Sequence, residues 1–292
     1  MDSIGFGTQL FQYIITGITI GSVYGLVALG FNIIYNSTEI INLAQGDFVM
    51  LGGMSSVFFL TVLHLPLAIS VILAVLFAFI VGALLERIAI WPLKNANQVT
   101  LILITLAISL ILEGSVMLIL GRNPYGLPYF TGSKTIFLFG AAIFPQYIWV
   151  IGISAVTVVV MNYFFNKTVT GKAMKACSDN PTSASLMGIP VKKMILLSFA
   201  ISALIGAVAG AAITPSLLME YDRGPMLTIK GFAAAIIGGL GSFGGAIVGG
   251  LILGISESLF AGLISSGYKD AASLAILLLI LFIKPSGMFG KK

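Results

Sequence analysis

Long apolar stretches, separated by short polar segments, run along almost the whole of this 292-residue chain. Two stretches show the pattern: residues 71–85 carry no charged side chain, and residues 100–120 carry only Glu113. An apolar run of about 20 residues is long enough to cross the hydrocarbon core of a membrane as an α-helix. The pattern therefore predicts an all-α polytopic membrane protein.

The apolar pattern predicts eight or nine membrane segments. They lie near residues 10–34, 44–63, 66–85, 99–120, 146–165, 194–213, 227–239, 244–260 and 271–284. The seventh segment is too short to span a bilayer unaided, so we expect a half-helix or a tilted helix packed against its neighbours. The length of the chain leaves no room for a separate soluble domain, and we expect residues 1–292 to form one transmembrane domain.

Composition agrees with this prediction and excludes several classes of protein. Only 9% of the residues are charged, whereas a soluble domain carries roughly 25%. The single cysteine, Cys177, excludes an intramolecular disulfide. The N-terminus lacks the basic segment of a cleaved signal peptide, so we expect the first apolar segment to be retained. The net charge of +5 suits a membrane protein with basic cytoplasmic loops, and we expect no nucleic-acid partner.

Basic residues indicate how the chain lies in the membrane, because loops rich in Lys and Arg stay in the cytoplasm. Ten of the fifteen basic residues fall in three segments, 87–94, 167–193 and 284–292. We assign the other five to the opposite side: Arg122, Lys134, Arg223, Lys230 and Lys269. This arrangement places the C-terminus in the cytoplasm, and nine crossings would place the N-terminus outside. One re-entrant segment would reverse the N-terminal assignment.

Glycines recur every four residues in three of the apolar segments. The two longer series are Gly17, Gly21 and Gly25 in the first segment and Gly241, Gly245 and Gly249 in the eighth, and Gly206 and Gly210 form a pair in the sixth. Small residues at this spacing let helices approach closely in a membrane, so we interpret them as helix-packing positions. The alternative is that they line a conduit or form a hinge. The sequence GLGSFG at 239–244 matches a dinucleotide-binding fingerprint, but its flanks are membrane helices, so we expect no nucleotide site there.

The chain carries no motif for catalysis or metal binding. It contains no H-E-x-x-H, no C-x-x-C and no phosphate-binding G-x-x-x-x-G-K-[ST]. The single histidine, His64, lies at the end of an apolar run and is expected at the membrane interface. We therefore expect no catalytic site, no metal site and no bound cofactor, which disfavours an intramembrane enzyme.

Polar groups at membrane depth are the stronger indications of function, because such groups are costly there unless paired or hydrated. The segment INLAQGDF (41–48) brings Asn42, Gln45 and Asp47 together where the chain enters the second membrane segment. Glu113 lies inside the fourth segment and Glu257 inside the eighth. Both can be structural groups bonded to serines, and Asp47 can be a helix cap. Our candidates for the transport pathway are Asn42, Gln45, Asp47 and Glu113.

A polar stretch, GKAMKACSDNPTSASLMGI (171–189), stands between two apolar segments in a loop of about 166–193. Asn180 can cap a helix, and Pro181 suits its first position. Gly188, expected at positive φ, supplies a stop, and Pro190 follows it. The stretch therefore predicts a short helix over residues 181–187.

A helix of this length is unstable alone in water, so it must dock on another surface. Ala184 and Ser185 would let that surface approach closely, and Leu186 and Met187 would be apolar anchors. The alternative is a loop helix lying on the membrane, but its poor apolar face argues against this.

The stretch resembles the EAA-type cytoplasmic loop of ABC importer permeases, in the version found in branched-chain amino acid importers. Other matching pieces occur in the family's order and cover most of the chain: 17–35, 41–48, 86–93, 234–258 and 268–290. The resemblance is specific to the shorter of the two permeases of such an importer. Gln45 stands where the family usually has His, which leaves a substrate role for this position open. Lys172 and Lys175 stand where it often has Arg, which preserves the charge.

The resemblance implies a transport subunit, not an enzyme, in a bacterial or archaeal plasma membrane. Its partners would be a second, longer permease, two ATPase subunits and an extracytoplasmic substrate-binding protein. The short helix would be the coupling helix that docks on an ATPase subunit. Its residues would be Asn180, Pro181, Ala184, Ser185, Leu186, Met187 and Gly188.

The resemblance also implies a substrate: branched-chain, hydrophobic amino acids delivered by the binding protein. Permeases of the same family also serve importers of urea and short amides, which is the alternative. An ATP-independent channel is a second class of function. A secondary transporter is a third, and it would need a coupling carboxylate such as Glu113. Dependence on a separate ATPase distinguishes the first class from the other two.

Overall fold

The computed structural model describes residues 5–93, 96–132, 134–138 and 140–290. The helices among these residues are α1 (Phe6–Thr38), α2 (Gln45–Thr61), α3 (Leu67–Leu85), α4 (Gln98–Leu120), α5 (Pro145–Lys167), α6 (Val169–Asp179), α7 (Pro181–Leu186), α8 (Val191–Ile213), α9 (Arg223–Gly238), α10 (Phe243–Leu263) and α11 (Lys269–Ile283). A small antiparallel hairpin, β1 (Ile136–Leu138) and β2 (Ala141–Ile143), precedes α5. The predicted all-α polytopic fold is confirmed.

Each of the nine predicted segments corresponds to one helix of the described residues, but the helices differ in length. Seven helices of the described residues are long and apolar enough to cross a membrane. The other two, α2 and α9, have 17 and 16 residues. The sequence indicated only the second of these as short.

Both short helices begin inside the molecule and not at its edge. The Gln45 side chain, at the start of α2, meets Ser202, whose hydroxyl lies 2.9 Å from the carbonyl oxygen of Gly30. Gly30 lies eight residues before the end of α1, which corresponds to about 12 Å at 1.5 Å per residue. The chain therefore turns back after α1 and runs inward before α2 starts. The first residues of α9 meet the start of α2, so α9 begins at a similar depth.

The order long helix, inward link, short helix, long helix occurs twice, in α1–α2–α3 and in α8–α9–α10. Helix α1 packs antiparallel to α10 and beside α9, and α8 packs against α3 and parallel to α2. Because α8 runs opposite to α1, the second set is inverted relative to the first, as in many transporters built on inverted repeats. The sequence shows no such repeat.

One end of the molecule gathers the segments that carry most of the basic residues. Lys192 lies 4.5 Å above the ring of Trp91, which joins the loop after α3 to the loop before α8. The segment after α11 reaches the same end, where Met288 N–H donates to the carbonyl of Ile237. We call this the α7 end. Three lysines of the predicted cytoplasmic set, Lys94, Lys291 and Lys292, lie outside the described residues.

Large apolar side chains face outward on α3, α4, α5 and α11. Representative residues are Ile72, Leu110, Val159 and Leu278, all exposed. Contiguous apolar surface of this kind marks contact with a membrane or a partner. The buried middle of α1 lies at the centre of the bundle.

Candidate functional site

The predicted short helix is present at the α7 end. Helix α7 has six residues, one fewer than predicted. Its cap is the Asn180 side chain, whose Oδ1 accepts from Ser183 N–H at 2.9 Å. Gly188 has a φ of +82°, the left-handed conformation expected of a helix stop.

The orientation of α7 corrects one part of the sequence interpretation. Ala184 is 4% exposed and packs into the core of its own chain, so it does not face outward as predicted. A helix of under two turns needs one face against its own protein to be held in place, and the small Ala184 side chain fits there. Leu186 and Met187 point away and are 85% and 84% exposed. Ser185 is also exposed, so residues 185–187 form the outward face.

Helix α6 anchors α7 to the membrane-spanning helices. Met174 and Cys177 are fully buried against the bundle, and burial raises the pKa of the Cys177 thiol. A Cβ on Gly171 would overlap the carbonyl oxygen of Phe164, so α6 lies directly on the end of α5. A displacement of α7 would therefore be passed to α5.

The polar residues of the link before α2 hold the chain reversal together. Asn42 is buried, and its Oδ1 accepts from Ala44 N–H at 3.2 Å. Gln45 is fully buried, and its Oε1 accepts from the Ser202 hydroxyl at 2.7 Å. Gln45 thus joins α2 to α8, and through Ser202 to Gly30 of α1.

Two threonines that sequence reasoning missed satisfy the backbone of this link. Leu43 N–H donates to Thr105 Oγ1 at 3.0 Å. Thr228 Oγ1 accepts from Gly46 N–H at 2.8 Å and donates to the carbonyl of Leu43 at 3.1 Å. Non-helical backbone at membrane depth is tolerated only where such partners exist. The sequence signal that could have identified Thr105 and Thr228 is the presence of a hydroxyl side chain within a mostly apolar helix.

Asp47 lies where the first turns of α2 and α9 meet. It is fully buried, and neither carboxylate oxygen accepts a well-formed hydrogen bond from a described residue. A Cβ on Gly224 would overlap Asp47 Oδ1, so the Asp47 carboxylate packs directly against the backbone of α9. A carboxylate in the first turn of a helix is favoured by the helix dipole, which helps to hold Asp47 there.

Glu113 belongs to the same neighbourhood. It is half-buried on α4, and its Oε1 accepts from the Ser109 hydroxyl at 3.3 Å. Ser109 is also near Asp47, and the carboxylates of Asp47 and Glu113 are close enough to interact electrostatically. All four pathway candidates are thus on or near the link between α1 and α2.

The glycine series occupy two different contacts. A Cβ on Gly17 would lie 2.6 Å from Ile255 Cα, and one on Gly21 would lie 2.8 Å from the carbonyl oxygen of Gly250, so these glycines face α10. Gly25 faces Ile247 of the same helix. In α10, Gly245 and Gly249 face α9 instead.

The assignment of Gly241 to this helix-packing series is wrong. It precedes α10, which Ser242 caps, and lies in a turn with a φ of +84°. Asn32 Oδ1 accepts from Gly241 N–H, and Asn36 Nδ2 donates to the carbonyl of Gly241. Its role is therefore to form a turn bound to α1, where a side chain would be strained.

A buried ion cluster, which the sequence did not reveal, lies between α9, α10 and α11. Lys230 Nζ is 2.6 Å from Glu257 Oε1 and 2.7 Å from Asp270 Oδ1. The Tyr24 hydroxyl donates to Glu257 Oε2 at 3.0 Å. We call these four residues the Lys230 cluster. Lys230 was assigned to the side opposite the basic loops, near the start of the seventh predicted segment, but it is buried in the middle of α9, which starts four residues earlier than predicted.

Glu257 accepts from the Ser273 hydroxyl at 3.5 Å, which fits the interpretation of a structural group bonded to a serine. The sequence did not reveal its nearer partner, the Lys230 ammonium. In the described part of the chain no three His, Cys, Asp or Glu residues are arranged to hold a metal ion.

Comparison with known proteins identifies relatives along the whole chain. The family described as "Branched-chain amino acid transport system / permease component" matches residues 13–283. A relative from Salmonella typhimurium, the high-affinity branched-chain amino acid transport system permease protein LivH, is 32% identical and aligns with 96% of this chain and 95% of its own. A probable branched-chain amino acid transport permease protein LivH from Methanocaldococcus jannaschii is 34% identical over 91% and 88% of the two chains.

A solved structure has a similar fold. The structure titled PsaBC from Streptococcus pneumoniae in complex with Fab aligns with 96% of this chain and 94% of that one, with a TM-score of 0.51 and 20% identity. At this identity the likeness concerns the fold alone.

Proposed function

We propose a function for this chain from its family, since it belongs to the branched-chain amino acid transport system permease components. It would form half of the membrane path of an ATP-driven importer for hydrophobic, branched-chain amino acids. The family makes the chain a multi-pass plasma-membrane protein and a transport subunit that works with other ABC components. The other components we propose are a longer permease, two ATPase subunits and an extracytoplasmic binding protein. The names of the full-length relatives support this substrate class.

The outward face of α7 is the observation that carries the mechanism. Two large apolar side chains, Leu186 and Met187, are almost fully exposed on a helix too short to be stable without contacts. An ATPase subunit that covers them would supply the missing contacts. Closure of the two ATPases on ATP would move α7, and α6 would pass the movement to α5 and α8. The spans would then alternate between states open to either side.

The fold supports the proposed orientation of the chain in the membrane, and this argument does not require the number of membrane crossings. If α7 contacts a cytoplasmic ATPase, the α7 end is cytoplasmic, and the segment after α11 ends there too. Helix α1 also ends there, because Asn36 bonds the Gly241 turn. The start of α1 then lies on the extracytoplasmic side. The partial crossings of α2 and α9 do not alter this argument.

The link before α2 is our candidate for the part of the pathway that moves. The Gln45 amide is held by the Ser202 hydroxyl, so we propose that it fixes the link and does not contact the substrate. Asp47 and Glu113 have carboxylate oxygens with few hydrogen-bond donors and are better placed to meet a passing solute.

Reconstitution of the complete importer tests the proposal. Proteoliposomes containing this chain, the longer permease and both ATPases should take up radiolabelled leucine only with ATP and the loaded binding protein. Loaded binding protein should also stimulate ATP hydrolysis. Uptake without the ATPases would show a channel or secondary transporter. Uptake of urea or a short amide in place of leucine would show the alternative substrate.

A further inference from the structure

A cavity of about 190 Å³ adjoins the Lys230 cluster, away from the α7 end. Its lining includes apolar side chains, among them Ile20, Val23, Leu217, Met226 and Leu227. Charged side chains line the same cavity: Arg223, Lys230, Glu257, Lys269 and Asp270. Ligand sites typically combine a mostly apolar surface with a few converging polar groups, and this cavity does so.

The size of the cavity suits a small organic molecule. Buried apolar cavities of about 150 Å³ bind benzene. A cavity of about 190 Å³ therefore has room for a molecule somewhat larger than benzene, such as valine or leucine. It is too small for a peptide.

The charges of the cavity divide into a fixed pair and accessible groups. Lys230 and Glu257 are 6% and 5% exposed, and each is held by the other. Asp270 also contacts Lys230, at 2.7 Å through Oδ1, but its side chain is 44% exposed. The side chain of Arg223 is 39% exposed. Arg223 has a partner in Glu220 at 3.3 Å, but an exposed pair of this kind is weak and can exchange for another carboxylate. The accessible groups thus have both signs.

A buried ion pair is weak evidence of a stabilising role, because desolvation of the two charges can exceed their attraction. The Lys230 cluster is nevertheless reinforced by the Tyr24 hydroxyl. Lys230 already pairs with two carboxylates, Glu257 and Asp270, which keeps it from competing for a ligand carboxylate. The half-exposed Asp270 carboxylate and the basic side chains of Arg223 and Lys269 line the same cavity, and an amino-acid zwitterion requires partners of both signs.

We infer that this cavity is a binding site for a hydrophobic amino acid in its zwitterionic form. The ammonium group would meet the Asp270 carboxylate, and the carboxylate would meet Arg223 and Lys269. The aliphatic side chain would contact the apolar lining residues Leu217 and Met226. The inference rests on the proposed function, and it gives the permease a selectivity of its own, separate from that of the binding protein.

Equilibrium binding of radiolabelled leucine tests the site. The assembled complex of both permeases and both ATPases is placed in nanodiscs without the binding protein. Saturable binding is expected, and Leu217→Trp, which fills the cavity, should weaken it at least tenfold. Leu118→Trp on α4 is the matched control, since Leu118 is 83% exposed and is not among the residues that line the cavity. Met226→Phe provides a milder filling variant if Leu217→Trp fails to assemble.

Analogues test the recognition of both charges. 4-Methylpentanoate lacks the ammonium group and 3-methylbutylamine lacks the carboxylate, so each should compete at least tenfold more weakly than unlabelled leucine. Asp270→Asn should abolish the preference for leucine over 4-methylpentanoate.

Two results would overturn the inference: no saturable binding by the wild-type complex, or equal binding by the cavity-filling and control variants. In either case the Lys230 cluster only joins α9, α10 and α11. Leucine uptake in proteoliposomes with the binding protein decides the proposed function separately. If that uptake persists while the nanodisc complex binds no leucine, only the cavity inference fails.

Discussion

Single atoms decide how closely the helices at the centre of this protein approach. In the first turns of α2 and α9, Gly46 lies against the carbonyl oxygen of Gly224, and Gly224 lies against the side chain of Asp47. This contact brings Asp47 into the interior and places Thr228 where its hydroxyl can bond the backbone of the link. The chain reversal before α2 therefore depends on glycines, because a side chain at Gly46 or Gly224 would keep α2 and α9 apart.

The substitution Gly46→Ala should destabilise the protein by about 1–3 kcal/mol, because the added methyl group overlaps the carbonyl oxygen of Gly224 and no flexible side chain can yield. Gly114→Ala on α4 is the control, since its Cβ would meet no atom within 4 Å. That control should be neutral or slightly stabilising. Thermal unfolding in detergent, followed by size-exclusion chromatography, measures both. Equal melting temperatures for the two variants would show that the α2–α9 contact is looser than described.

Glu113→Gln should leave uptake close to that of the wild type. The amide keeps the shape of the side chain and its bond with the Ser109 hydroxyl, which is the hydrogen bond that Glu113 makes in the structure. Glu113→Leu, which removes that bond, should reduce uptake more. Transport assays between pH 6 and pH 8 are the measurement. A collapse of uptake in Glu113→Gln with normal ATPase assembly would instead indicate a proton relay.

At the scale of elements, α7 is held from one side only. Ala184 packs inward, the Asn180 cap and Gly188 define its ends, and Leu186 and Met187 are left outside. Helix α6, which packs on the end of α5, anchors this segment to the bundle. A substitution at Ala184 would therefore act by lifting α7 from its own chain, whereas a substitution at Leu186 would act on the partner.

The double substitution Leu186→Asp with Met187→Asp should uncouple the importer while leaving the permease folded in the membrane. The two side chains contribute to no internal core, and charges there would disfavour an apolar contact with an ATPase subunit. Lys193→Ala, an exposed residue of the same loop, should have little effect. Co-purification of the ATPase and its stimulated hydrolysis are the measurements. Full assembly and stimulation in the double variant would show that α7 is not the coupling helix.

At the scale of the whole molecule, the inverted arrangement of two helix sets determines which end each connection occupies. The loops before α4 and before α8 lie at the α7 end, while the connection between α4 and α5 lies at the other. The orientation proposed above therefore makes a joint prediction for all loops, and one reversed loop would contradict it.

Single cysteines at Lys193 and Lys134 should report this orientation in a Cys177→Ser background. An impermeant maleimide applied to intact cells should label the cysteine at position 134 and not the one at 193. Inverted vesicles should reverse the result. The native Cys177 is removed as a precaution, although it is buried. Labelling of position 193 in intact cells would refute a cytoplasmic α7.

The sequence by itself determined the features that depend on a few neighbouring residues. The apolar segments follow from runs of side chains that cannot remain in water, and the ends of α7 follow from the local chemistry of Asn180 and Gly188. Only the tertiary structure showed which side chains from different helices contact one another. The Lys230 cluster draws its members from four helices, and the link before α2 is bonded by threonines 62 and 185 residues from Leu43 in the sequence. Ala184 turned inward because a six-residue helix has too few turns for its pattern to define a buried face. Contacts between distant segments depend on packing geometry, which no local pattern of residues encodes.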